Sequence, residues 1–146
     1  MAVRVARTDE ELDLARWRLQ ARQVDVTIND LKADHGVVTI DDGSGVFWAS
    51  LNENPADGGP CWWVHWHFEP PDAWGPLVLE ACKEAVRLGL GDIPARWRAQ
   101  PDNPIVAPFY KGKLKARSKD LKRPDSVQEF EVTPAQVVRA LSTRTV

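Results

Sequence analysis

The stretch CWWVHWHFEPPDAWGP, residues 61–76, constrains this chain more than any other, because it packs four of the seven tryptophans and two of the three histidines together. Residues 61–69 are the longest run of strand-favouring side chains in the sequence, and Pro70 and Pro71 end it. A strand alternates its side chains, so Trp62, Val64, Trp66 and Phe68 point one way and Trp63, His65, His67 and Glu69 the other. The first set is a heavy apolar face that only a core can absorb. The second carries the titratable groups, and any chemistry on this strand is expected there.

The remaining segments read as elements that would flank such a strand. VRVAR (3–7) is a short first strand. Thr8 then caps a helix, with Glu11 three residues on to complete a capping box and Leu12, Ala15 and Leu19 at helical spacing. TINDLKADHG suggests a short second helix capped by Asn29 and stopped at Gly36. VVTIDDGSGVFWASL reads as a hairpin about DDGSG. In PLVLEACKEAVRLG, the expected helix opens at Pro76, closes at Gly89, and lays Val78, Ala81, Cys82, Ala85 and Val86 along one face.

PARWRA is a short strand, NPIVAPFY a brief helix, and QEFEV a last strand. TPAQVVRALS is a C-terminal helix with Thr133 at its cap and Pro134 at its first position. Lys111, Lys113, Lys115, Arg117 and Lys119 fall at every second position, which gives a strand one basic face. The order β-α-α-β-β-β-α-β-α-β-β-α predicts one mixed α/β domain over residues 1–146, its core about 3–132 and a C-terminal helix over 133–142.

A chain of 146 residues, 43% hydrophobic and 27% charged, has the balance of a soluble domain able to bury its own core. No run approaches the roughly 20 apolar residues of a membrane span, and MAVRVARTDEELDLARWRL lacks the apolar segment of a signal peptide. Cys61 and Cys82 read as cytosolic thiols, so a cytoplasmic location is expected. Cys82 falls on the apolar helix face, and Cys61 has no basic neighbour to activate it. Residues 1–74 carry thirteen acids against six Lys and Arg, and residues 75–146 eight against thirteen. That split is not the pattern of a generic nucleic-acid binder, and it is read either as an uneven spread of surface charge or as two faces of opposite potential. No Gly-x-Ser-x-Gly, Walker loop or Cys-x-x-Cys is present.

NPIVAPFYKGKL, between a strand and a basic strand and downstream of the long helix, resembles a motif of the GNAT superfamily of acyl-CoA-dependent N-acyltransferases. Asn103, Val106, Phe109, Tyr110, Lys111 and Gly112 carry the match, with the glycine a residue early. The order of elements is similar to that family's as well. The resemblance implies a GNAT-like fold, a central mixed and mostly antiparallel sheet flanked by helices. It also implies acetyl-CoA in a V-shaped gap between the fourth and fifth strands. Val64, Trp66 and Phe68 on the fourth strand, Trp74, Gly75 and Leu77 at the following helix start, and Asn103 would be the cofactor-binding residues. Tyr110 would be the general acid, and Glu69 or His67 the base that deprotonates a small amine or a protein amine.

Against the family pattern Gln/Arg-x-x-Gly-x-Gly/Ala, DAWGPL (72–77) keeps only Gly75. Asp72 stands where a cation or amide is usual, Pro76 has no N–H, and Leu77 replaces a small residue. An acid about 5 Å from a phosphate charge costs roughly 1–3 kcal/mol, and one lost donor about 1 kcal/mol more. The resemblance therefore leaves a second expectation, a non-catalytic GNAT-like binding or assembly protein, like some virion-associated or structural proteins of tailed phages. Tryptophan abundance suits protein contacts and a homodimer. The basic strand would meet the 3′-phosphate of CoA or an acidic partner, or serve as a solvated edge. His65, His67 and Glu69 also resemble the first half of a cupin metal site, but no histidine follows His67 to complete one, and no metal is expected.

Overall fold

The computed structural model describes residues 2–52, 60–66, 71–99, 117–120, 122 and 128–142. Strand β1 (Arg4–Val5) leads into helix α1 (Asp9–Ala21). The Thr8 hydroxyl accepts the Glu11 N–H at 3.1 Å and the Glu11 carboxylate accepts the Thr8 N–H at 3.2 Å, closing the expected capping box. Leu12, Ala15 and Leu19 are buried along its inner face.

Helix α2 (Ile28–Lys32) is capped by Thr27, which corrects the expectation of Asn29. Thr27 Oγ1 accepts the Asp30 N–H at 3.1 Å, and Asp30 Oδ2 accepts the Thr27 N–H at 2.8 Å. A capping box needs an acceptor three residues on to return the bond. Thr27 has Asp30 there, whereas Asn29 has Lys32, which can only donate. Beyond the helix, Asp34 and His35 take left-handed φ values of 53° and 52°. A Cβ on Gly36 would lie 1.8 Å from the Leu31 carbonyl oxygen, so only glycine lets the chain turn there.

Strands β2 (Val37–Ile40) and β3 (Val46–Asn52) form the predicted hairpin, with Asp41 Oδ1 accepting the N–H groups of Gly43 and Gly45 at 2.9 and 2.8 Å. Strand β4 (Cys61–Trp66) follows, then α3 (Pro71–Arg87). The expected opening at Pro76 is corrected, since α3 starts at Pro71 and Pro76 lies inside it. A proline at a first helical position forfeits no bond, and Pro71 fills that place. Pro76 instead leaves the carbonyl of Asp72, four residues back, without its helical donor. Val78, Ala81, Cys82 and Ala85 are buried as expected, but Val86 is 44% exposed, because it stands about 100° around the helix from Ala85. Gly89, at φ 78°, ends α3, and the Leu90 N–H reaches back to the Ala85 carbonyl at 2.9 Å.

Strands β5 (Ala95–Ala99), β6 (Arg117–Asp120) and β7 (Gln128–Val132) precede α4 (Pro134–Ser142). Thr133 caps α4 by accepting the Gln136 N–H at 3.1 Å. The brief helix expected over 103–110 and the basic positions 111, 113 and 115 lie outside the described residues.

Among the described residues the sheet runs β1-β2-β3-β4-β5-β7-β6, antiparallel at every junction except β4–β5. The fold is thus a mixed α/β arrangement of an open, mostly antiparallel sheet and four described helices. Residues alternating along β3 sort into two cores. Phe47, Ala49 and Leu51 join Trp62, Leu77, Val78 and Phe130, while Val46 and Trp48 join Leu12, Leu19 and Leu31. The first core lies between the sheet and α3 with α4, the second between the sheet and α1 with α2. Register places β6 at the sheet edge with Arg117 opposite Glu131 and Lys119 opposite Glu129. No helix of the described residues is long and apolar enough to cross a membrane.

Candidate active site

The two central strands part company. Strand β4 pairs with β3 as far as Trp66, and β5 pairs with β7 from Ala95 to Ala99. Among the described residues, β4 and β5 share two register pairs, Trp62 with Ala95 and Trp63 with Arg96. Residues 64–66 and 97–99 each continue along an outer neighbour, so a wedge opens between them. Backbone amides and carbonyls facing a split of this kind need a partner, and a bound extended chain is one way to supply it.

Where the wedge begins, the β3–β4 register slips. Ala49 faces Val64 but Trp48 faces Trp66, so β4 carries one extra residue, His65, as a bulge. Strict alternation over 62–69 is therefore corrected at this point, since the slip sets Trp66 opposite Trp48. Bulges re-aim side chains, and here the re-aimed residue is a histidine.

His65 Nε2 lies 2.6 Å from Ser50 Oγ of β3. Its ring stacks on Trp48, with centroids 3.8 Å apart and planes 16° from parallel. Burial pushes the His65 pKa below its ordinary value, and the charge of Asp34 opposes that shift. The imidazole is accordingly neutral at pH 7, which a proton acceptor requires. The Trp48 indole N–H is buried and has no hydrogen-bond partner among the described residues. An orphaned buried donor of this kind costs roughly 1–3 kcal/mol.

On the opposite side of the sheet the wedge meets the larger core. Trp62 is held there by its indole N–H, which donates to the Leu90 carbonyl at 3.1 Å. An apolar cavity of about 40 Å³ lies among Trp62, Val64, Val78, Cys82, Ala95 and Val132. Burial pushes the Cys82 thiol up to about 12 and raises that of Cys61 as well, so both are free, buried and poor nucleophiles.

The residues expected at the site fall in three groups. Val64 and Trp66 both lie on β4, Val64 half-buried against the larger core. Trp74, Gly75 and Leu77 all lie within α3 rather than in a turn before it. Gly75 is buried, and Leu77 is fully buried with its carbonyl accepting the Thr39 hydroxyl at 2.9 Å. With α3 starting at Pro71, the amides of Gly75 and Leu77 belong to the helical ladder, and those of Asp72 and Ala73 are the free ones. His67, Phe68, Glu69, Asn103 and Tyr110 lie outside the described residues. The sequence reading missed Ser50 and Trp48 as members of a site and read His65 as a half-buried hydrogen-bonding residue, which it is, or as half of a metal pair. The available signal was their shared face: His65 alternates with Trp63, and Ser50 with Trp48. No family model matches this chain, and no curated protein matches it.

Proposed function

We propose that this chain is a GNAT-like, acyl-CoA-dependent N-acyltransferase domain acting on an amine, with acetyl-CoA as the acyl donor. The wedge between β4 and β5 carries this reading. It follows a parallel pair in an otherwise antiparallel sheet, and it leaves a strand edge at Val64–Trp66 on which the amide-bearing arm of CoA would lie. The fit is good at that edge and poor at the phosphates, because Pro71 offers no N–H and Asp72 brings a negative charge to the helix start. An acyl-CoA supplies a thioester carbon open to attack by an amine. Within the described residues, His65 is the neutral base nearest the wedge, held in orientation by Ser50 and Trp48. Glu69 or His67 as base and Tyr110 as acid complete the proposal, which places the protein in the cytoplasm.

Thermal unfolding with and without CoA tests it. A ligand at 100 times its Kd stabilises the native state by ~2.7 kcal/mol, a shift of several degrees for a domain of this size. Absence of any shift at millimolar CoA would overturn the reading. If CoA binds, Tyr110→Phe should slow turnover while leaving CoA binding intact.

A second reading, a non-catalytic binding or assembly protein of the same fold, is favoured by the surface of α1. Trp17 is 63% exposed and Leu14, three residues before it, is 38% exposed. A tryptophan held out this way suits a protein contact better than a solvated helix face. The CoA experiment separates the two readings.

A further inference from the structure

We infer that Ser50 and His65 form a nucleophile–base pair that accepts an acyl group from small activated esters or thioesters. The inference does not depend on CoA binding, since any activated acyl compound that reaches Ser50 would serve.

Three observations converge on it. The first is the 2.6 Å separation of Ser50 Oγ from His65 Nε2, short enough for direct proton transfer along the hydrogen bond. With the imidazole proton on Nδ1, the hydroxyl donates to Nε2 and the serine is poised as a nucleophile. The second is the orientation of the base, whose ring is clamped at 3.8 Å against Trp48 by stacking and set by the β4 bulge. Asp34, on the turn whose carbonyl accepts the Leu51 N–H at 2.7 Å, supplies a negative charge that favours the imidazolium formed after proton transfer. The third is access, since Ser50 and His65 are both only half-buried and the pair is reachable from solvent.

The chemistry balances without a cofactor. Ser50 Oγ attacks the acyl carbon as its proton passes to His65 Nε2, the bond from carbon to the leaving oxygen or sulfur breaks, and the leaving group departs either with that proton or as an anion, in which case the imidazolium returns the proton to solvent. Water then attacks the seryl ester, His65 accepts a proton from it, and the carboxylic acid is released as Ser50 Oγ is reprotonated.

The test uses the full chain with p-nitrophenyl acetate and, separately, a fluorophosphonate probe, each read by intact-protein mass and peptide mapping. The expected result is one acetyl or one phosphonyl group per chain on Ser50. Labelling should vanish in Ser50→Ala and slow by about 100-fold or more in His65→Gln. Far-ultraviolet circular dichroism confirms that each variant is folded. Labelling that maps to lysine alone, or that persists in Ser50→Ala, would overturn the inference. A CoA-induced stabilisation with no acyl-serine would reject this pair and leave the acyltransferase reading intact. Acyl-serine with no CoA-induced shift would do the reverse.

Discussion

Arg7 and Glu84, 77 positions apart, meet in a two-pronged ion pair in which both guanidinium nitrogens donate to the carboxylate oxygens at 2.9 Å. Arg87, one turn along α3, forks onto the same carboxylate at 2.7 Å. Glu84 is only 8% exposed, so its charge is tolerable because it is enclosed by these donors. The cluster pins the end of β1 to the last turn of α3. It also forms part of the wall of a half-polar cavity of about 360 Å³ that includes Lys32 and His35.

The hydrogen bonds from Arg87 and Arg7 hold the Glu84 carboxyl at about 2. A carboxyl with a folded pKa below its unfolded value stabilises the fold above the unfolded pKa, near 4.5, and loses that contribution as pH falls toward 2. Both arginines are more than half exposed, so screening reduces the effect to about 2 kcal/mol. Glu84→Gln should lower urea stability at pH 7 by that order and flatten the acid limb between pH 4.5 and 2. Chemical denaturation across pH measures both. An unchanged acid limb would remove Glu84 from this role.

His65 titrates in a different window. Its folded pKa is lowered by burial, so below about pH 6.5 the unfolded chain binds the proton more readily. Stability should be flat above that pH and decline as pH drops below it. His65→Gln should abolish this upper step while leaving the Glu84 step in place. Denaturation midpoints measured at half-unit intervals would show whether the two steps separate.

The cysteines give a third check. Neither Cys61 nor Cys82 should react with a thiol reagent at pH 8 in the folded protein, and both should react on unfolding. A thiol titration with and without denaturant decides it. Cys82→Ala, which enlarges an existing apolar cavity, should cost about 1 kcal/mol.

Capping supplies a fourth. Thr27→Ala removes the hydroxyl that accepts the Asp30 N–H and should cost about 1 kcal/mol. Asn29→Ala, inside the helix, should be close to neutral. Equal losses would contradict the placement of the cap.

Much of the architecture was legible locally. The Thr8–Glu11 box, the Asp-Asp-Gly-Ser-Gly hairpin, the stop at Gly89 and the Thr133 cap each depend on a few adjacent residues whose hydrogen-bonding capacity can be read directly. The start of α3 was not legible, because Pro71 and Pro76 are both chemically acceptable openers and the choice depends on what Leu77 and Val78 pack against. The contact between Ser50 and His65 was not legible either. Two-residue alternation marks His65 and His67 equally, and only the slip against Trp48 and Ala49 singles out His65.

The order of residues by itself determined the β2–β3 hairpin, the caps at Thr8 and Thr133, and that the tryptophan-bearing strand must be central, since its apolar face has no other place to go. The tertiary structure alone decided that β4 and β5 separate after two pairs, that Ser50 reaches His65, and that Glu84 joins two arginines. Those outcomes arise from contacts between positions far apart in the chain, where the energy of meeting depends on the whole packed sheet and on no local pattern.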